Sequence, residues 1–182
     1  MESKAKFLGH PIHPMLVVFP LGLFITSLIF DLIALLTNEP ALAIASFYMI
    51  GAGVLGGLLA AVFGLIDWLA IPTGTRAKVI GLLHGLGNVL LIGFFIFSWL
   101  LRRDAPQAPE AAALILSLLG VALGTLTAWL GGELVYRLAV GVDRDANLNA
   151  PDLLAERPAF TDGALEPHVD AVKSEEYDST TT

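Results

Sequence analysis

The sequence predicts an all-α integral membrane protein, an up-down four-helix bundle followed by a disordered acidic C-terminal tail. Three observations predict it. The 182 residues are 55% hydrophobic and 15% charged, with a mean hydropathy of +0.75, whereas soluble domains run nearer a quarter charged. Four stretches reach the roughly 20 apolar residues needed to cross the hydrocarbon of a bilayer. The net charge of −7 is segregated. Residues 1–142 balance seven Lys/Arg against seven Asp/Glu, and residues 143–182 hold ten acids against three bases. The chain has no Cys, which excludes a disulfide scaffold, a Cys-ligated zinc or iron–sulfur centre and a thiol nucleophile.

Residues 1–14 are expected to form a cytoplasmic N-terminal segment carrying His10-Pro11-Ile12-His13-Pro14. Each proline biases the residue before it toward extended backbone, so both imidazoles are expected on a stiff segment, with Pro14 opening the first helix. The transmembrane domain, residues 15–142, follows. Its first span, about 15–36, is broken only by Asp31. It is too long for the core of a signal peptide and reads as a retained span. The second, about 41–71, has no charge before Asp67; the third, 79–101, carries His84 and Asn88; the fourth, 111–135, carries Glu133 near its end. Short links make neighbours antiparallel. Gly53, Gly57 and Ala61, and again Gly120, Gly124, Ala128 and Gly132, recur at four-residue spacing, which lets helix backbones approach. No internal repeat stands out. The tail, 143–182, lacks apolar periodicity and is expected to be disordered, apart from a short helix starting near Asn149; His168 there is solvated.

Orientation follows from basic residues in short flanks. Lys4, Lys6, Arg76, Lys78, Arg137 and Arg144 fall on one side and Arg102 and Arg103 on the other. Both termini are therefore expected in the cytoplasm, and Trp68, Trp99 and Trp129 mark span ends at the interfaces.

On that topology polar groups gather at the cytoplasmic leaflet: His10 and His13 before span one, Asp67 on span two, His84 and Asn88 on span three, Glu133 on span four. Asp31 lies apart, toward the outer side, with Arg102 or Arg103 as its partner. Ionisable groups inside a membrane are costly and mark sites. Gly81, His84, Gly85 and Asn88 form one helical stripe and suggest close approach of a helix or a flat ligand. Imidazoles with carboxylates are a shell for a first-row transition metal, drawn from His10, His13, His84, Asp67 and Glu133. Two His on different helices also hold haem iron. His13 and His84 would then ligate haem b, the glycines leaving room for the porphyrin and Arg76 and Lys78 meeting its propionates. A proton or ion path, and a purely structural polar network, are the other readings of the same residues.

No phosphate loop, G-x-S-x-G elbow, H-E-x-x-H or dinucleotide fingerprint occurs. Ser27, Ser46, Ser98 and Ser117 lie in spans without an adjacent base in sequence, so serine hydrolysis is not supported and no catalytic residue is assigned. The acidic tail would repel nucleic acid.

The stretch from Gly9 through His10-Pro11-Ile12-His13-Pro14 to Leu23, with Phe30-Asp31-Leu32, Gly64-Leu65-Ile66-Asp67-Trp68, His84…Asn88 and Gly131-Gly132-Glu133-Leu134-Val135-Tyr136-Arg137, resembles an uncharacterised family of predicted bacterial membrane proteins of unknown function. That resemblance implies the bacterial cytoplasmic membrane. Some relatives are joined to Rieske-type iron–sulfur domains, which implies a redox setting and a redox partner protein. The family often places His after Tyr-Arg; here that position is Leu138. The expected function is a redox-associated, multi-pass membrane protein binding haem or a transition metal. The alternatives are a membrane scaffold whose acidic tail recruits a partner, and a small ion or proton transporter acting as a homo-oligomer. In every case the lipid bilayer is its surroundings.

Overall fold

A computed structural model describes residues 1–150. The expectation of a disordered tail and of a helix from Asn149 falls, beyond Ala150, outside the described residues. Among the described residues, four helices are long and apolar enough to cross a membrane, in keeping with the composition.

The chain opens on a feature the sequence did not announce. β1 (Lys6–Phe7) pairs antiparallel with β2 (His10–Pro11). Leu8 and Gly9 join them with φ of 48° and 84°, the two positive values that a type I′ hairpin turn demands. Leu stands where Asn or Gly is usual, at a cost of roughly 1 kcal/mol, and two-residue strands are too short to leave a period.

The first span is two helices, α1 (Ile12–Leu16) and α2 (Val18–Thr37), with a break at Val17. His13 is helical, not extended, and Pro11 rather than His13 forms the extended N-cap. Pro14 then falls in the first turn, where its missing N–H forfeits no bond. The break has its own proline. Pro20 offers no N–H to the carbonyl of Leu16, and its ring presses on that carbonyl. α3 (Pro40–Ala70) begins with proline at its first position, Glu39 accepting the N–H of Ala41 at 3.3 Å. α4 (Arg76–Leu101) begins before the apolar run because Thr75 Oγ1 accepts the N–H of Lys78 at 3.2 Å. α5 (Ala111–Gly132) passes into a π-helical turn over Glu133–Arg137.

The spans pack as two hairpins. α2 lies along α3 and α4 along α5, and the hairpins meet through α3 with α4 and α2 with α5. An internal repeat, which the sequence reading missed, organises this. Asp31 and Arg102 are 71 residues apart. His13 and His84, Phe24 and Phe95, and Ser27 and Ser98 keep the same offset. On the second helix of each hairpin, Gly53, Gly57, Ala60 and Gly64 correspond at their own constant offset to Gly120, Gly124, Thr127 and Gly131. Counterparts meet: Phe24 stacks on Phe95 with centroids 3.8 Å apart and rings 6° from parallel, and Asp31 pairs with Arg102. Residues touching their own equivalents lie on a two-fold axis. The hairpins run in the same sense, so this pseudo-dyad follows the helices, as in parallel membrane repeats.

The buried stripes deviate from strict four-residue spacing. They run Ser46, Ile50, Gly53, Gly57, Ala60 and Ala113, Ser117, Gly120, Gly124, Thr127, leaving Ala61 and Ala128 exposed. A helix of 3.6 residues per turn keeps one face only by alternating steps of three and four. Gly53 and Gly120 floor the phenylalanine stack. A Cβ at either would lie 2.6 Å from a ring atom of Phe24 or Phe95, and each ring is held by the other. Overpacking of this kind costs about 1–3 kcal/mol. Gly53→Ala and Gly120→Ala are each expected to lower the thermal transition in detergent clearly, whereas Gly93→Ala, with no atom within 4 Å of its added Cβ, leaves it nearly unchanged.

Candidate functional site

Two polar centres lie on the pseudo-dyad, at opposite ends of the bundle. Arg102 and Asp31, 0% and 1% exposed, make the first. Arg102 Nη1 donates to Asp31 Oδ1 at 2.8 Å and to Ser46 Oγ at 3.2 Å; Nη2 donates to Ser117 Oγ at 3.1 Å and Nε to Ser98 Oγ at 3.3 Å. Nη2 also lies 2.8 Å from Asp31 Oδ2. That oxygen accepts no well-directed hydrogen bond, so this contact is electrostatic. Ser98 donates its one proton to Ala113 O at 2.7 Å, which leaves Ser117 as the donor in the 2.9 Å Ser98–Ser117 bond. The expected Asp31 partner is thus Arg102. Of the four serines read as idle in sequence, Ser46, Ser98 and Ser117 are its solvation shell, and Ser27 donates to Phe24 O at 2.8 Å.

The second centre is the histidine pair. His13 Nδ1 lies 2.8 Å from Ala60 O and His84 Nδ1 2.9 Å from Thr127 O. These are equivalent bonds to equivalent carbonyls. A carbonyl only accepts, so each Nδ1 carries a proton, and the neutral form of each ring then has its lone pair on Nε2. The ring centroids are 6.3 Å apart at 85°. Gly64 and Gly131 allow the rings to seat, since a Cβ would stand 2.8 Å and 3.2 Å from them. The repeats differ one turn deeper. Asn88 Nδ2 donates to His84 O at 2.8 Å and approaches His84 Nε2 at 3.2 Å, and its Oδ1 accepts from Thr127 Oγ1 at 3.2 Å. Its counterpart in the first repeat is Val17, at the helix break.

The remaining candidates sit elsewhere. Asp67 gathers the amino-terminal segment: both carboxylate oxygens accept from Ser3 Oγ at 2.8 Å, and Oδ1 accepts the N–H of Lys4 at 2.7 Å and of Ala5 at 3.4 Å. Glu133 binds Arg76 at 2.6 Å. His10 lines an open groove of about 410 Å³ with Pro11, Pro14, Met15, Val135, Val140 and Gly141. Among the described residues no group of three or more His, Asp or Glu is placed to hold a metal ion. The porphyrin expectation also meets occupied ground. The Gly81 face is filled by Trp68, whose indole would lie 2.8 Å from an added Cβ; Gly85 has no atom within 4 Å of its own. Arg76 is taken by Glu133, and Lys78 Nζ donates to Trp68 O at 2.7 Å and lies 4.0 Å from the centre of its ring.

Between the two centres lie Leu91, Ile92 and the Phe24–Phe95 stack, all buried. Along α4 the centres stand about 27 Å apart, at 1.5 Å per residue.

Asp67 is the legible tether of the amino-terminal segment. Hydrogen bonds to a charged acceptor contribute about 1.5–3 kcal/mol. Asp67→Ala is expected to speed amide exchange at Lys4 and Ala5 by about tenfold or more, without changing exchange in the middle of α4.

A family model described as "Predicted membrane protein (DUF2231)" matches residues 9–144, from the turn of the hairpin to just past the π-helical turn. Searches of the curated proteins and of the solved structures return no match.

Proposed function

We propose that this chain, which belongs to the DUF2231 family of predicted membrane proteins, holds a redox-active transition ion between His13 and His84 inside the membrane. One observation carries the reading: two imidazoles meet across the pseudo-dyad, each with Nδ1–H tied to a backbone carbonyl. Tying the far ring nitrogen in this way is how proteins orient a ligating histidine and fix its tautomer. An ion about 2.0 Å from each Nε2 sets ring centres roughly 6 Å apart, in keeping with the 6.3 Å found. With two protein ligands, the ion is one content with a pair of imidazoles, such as a cuprous ion, or one that brings its other ligands. Imidazole suits copper, zinc, iron and nickel. His84 must exchange its Asn88 contact for the ion, so the site costs a local rearrangement in the second repeat. His10, Asp67 and Glu133 are left as supports of the surrounding segments.

A structural reading is favoured by the same two carbonyl bonds, which tie α1 to α3 and α4 to α5. A transport path finds less support, because the Phe24–Phe95 stack separates the two polar centres.

The test is a double-mutant cycle on protein purified in mild detergent, reading metal content, absorption spectrum and thermal transition. One ion per chain is expected in the unaltered protein. His13→Ala or His84→Ala alone removes it nearly completely, and the pair adds little more. Occupancy is expected to fall in acid, because the ligating form is the neutral imidazole and a proton competes with the ion for Nε2. A Soret band would move the ion into a haem and overturn the porphyrin-free reading. No bound species, with small additive stability losses, would leave the helix ties alone.

We further place the protein in the bacterial cytoplasmic membrane with both termini in the cytoplasm, from the six-to-two asymmetry of basic residues. Reporter fusions after Lys6 and after Asn149 are expected to give cytoplasmic signals, and one in the Arg102–Glu110 link an exported signal. The inverse pattern would put the histidine end outside.

A further inference from the structure

The faces that the two repeats press together are nearly alike. Phenylalanine meets phenylalanine, histidine meets histidine, and glycine floors both rings. Such faces would also fit a second copy of themselves. A first-repeat hairpin could stack Phe24 on the Phe24 of another copy. Apart from Asn88 and Thr127, which stand where the first repeat has Val17 and Ala60, and the hydroxyls around Arg102, one pair of equivalent positions breaks the likeness by opposing charge. Asp31 in the first repeat stands where Arg102 stands in the second, and the two meet with no water-exposed surface.

We infer that this charge opposition makes the inter-repeat surface selective: each face takes the opposite repeat and refuses its own kind. Two first-repeat faces would bury carboxylate against carboxylate, and two second-repeat faces guanidinium against guanidinium. In a dry interior either arrangement leaves charges without partners, which costs far more than it does in water. A surface that is otherwise self-complementary is thereby closed to the like half of a second copy. The same device, a polar residue at one position of an apolar seam, fixes register and partner in coiled coils. The surrounding hydroxyls follow the charge rather than the symmetry. Ser46, Ser98 and Ser117 all accept a hydrogen bond from Arg102. Of the counterpart positions around Asp31 only Ser27 is a serine, the others being Ala113 and Ile50. This inference is independent of any ion at the histidine pair.

The experiment exchanges the charges in the full-length chain. D31R, R102D and the double variant D31R/R102D are compared with the unaltered protein for yield of monodisperse monomer in mild detergent and for thermal transition. Each single variant sets like charges on the axis and is expected to lose monomer roughly tenfold or more, since breaking a buried pair is strongly destabilising. The double variant restores opposite charges and is expected to recover most of that loss. Recovery stays incomplete because the relocated guanidinium finds Ser27 but meets Ala113 and Ile50 where Arg102 has Ser46 and Ser117. A double variant as poor as either single, including one in which none of the three yields folded protein, overturns the inference. Single variants that remain monomeric with an unchanged transition overturn it as well.

Discussion

A guanidinium cannot shed its proton, so a chain that buries one must bring it both a counter-charge and enough acceptors. Arg102 obtains them from every long helix at once: Asp31 from α2, Ser46 from α3, Ser98 from its own helix and Ser117 from α5. Moving any one of those helices by an ångström would strand a donor in a dry interior. Desolvation takes back much of what such a pair gains, so its weight lies less in net stability than in the single arrangement it permits.

From that point the rest is layered toward the other end. The Phe24–Phe95 stack comes next, made possible by Gly53 and Gly120. Leu91 and Ile92 follow over Gly124 and Gly57, and then the two imidazoles on their carbonyls. The charge pair, the phenylalanine stack and the histidine pair are each one pair of equivalent positions, so the symmetry of the repeat is expressed at those three levels. It is broken where polarity is needed on one side only: by charge at Asp31 and Arg102, and beside the histidines by Asn88 and Thr127, where the first repeat has Val17 and Ala60.

Composition alone made the four spans legible, because lipid admits few alternatives to a helix of about 20 apolar residues. The partnership of Asp31 with Arg102 was half legible, since two charges at one depth have few other resolutions. The serines were not, because a hydroxyl in a span looks the same whether it serves an arginine or its own helix. The repeat escaped notice for a related reason. Lipid-facing positions exchange one aliphatic residue for another freely, and only the few residues near the axis keep step. The bonds that align the histidines are made by main-chain carbonyls of Ala60 and Thr127, which no side chain betrays. Asp67 and Glu133 looked like ligands because their depth matched, yet their partners are an amino-terminal backbone and an arginine.

Asp31 and Arg102 occupy the same level of the two repeats, one across the axis from the other. A field applied along the axis therefore acts on opposite charges at equal depth. Each elementary charge would exchange about 2.3 kcal/mol with a 100 mV potential on crossing the whole membrane, but shifts of the two together cancel. Intramembrane arginines can serve as gating charges; paired at one depth with Asp31, Arg102 contributes little net gating charge to any movement that the two make together.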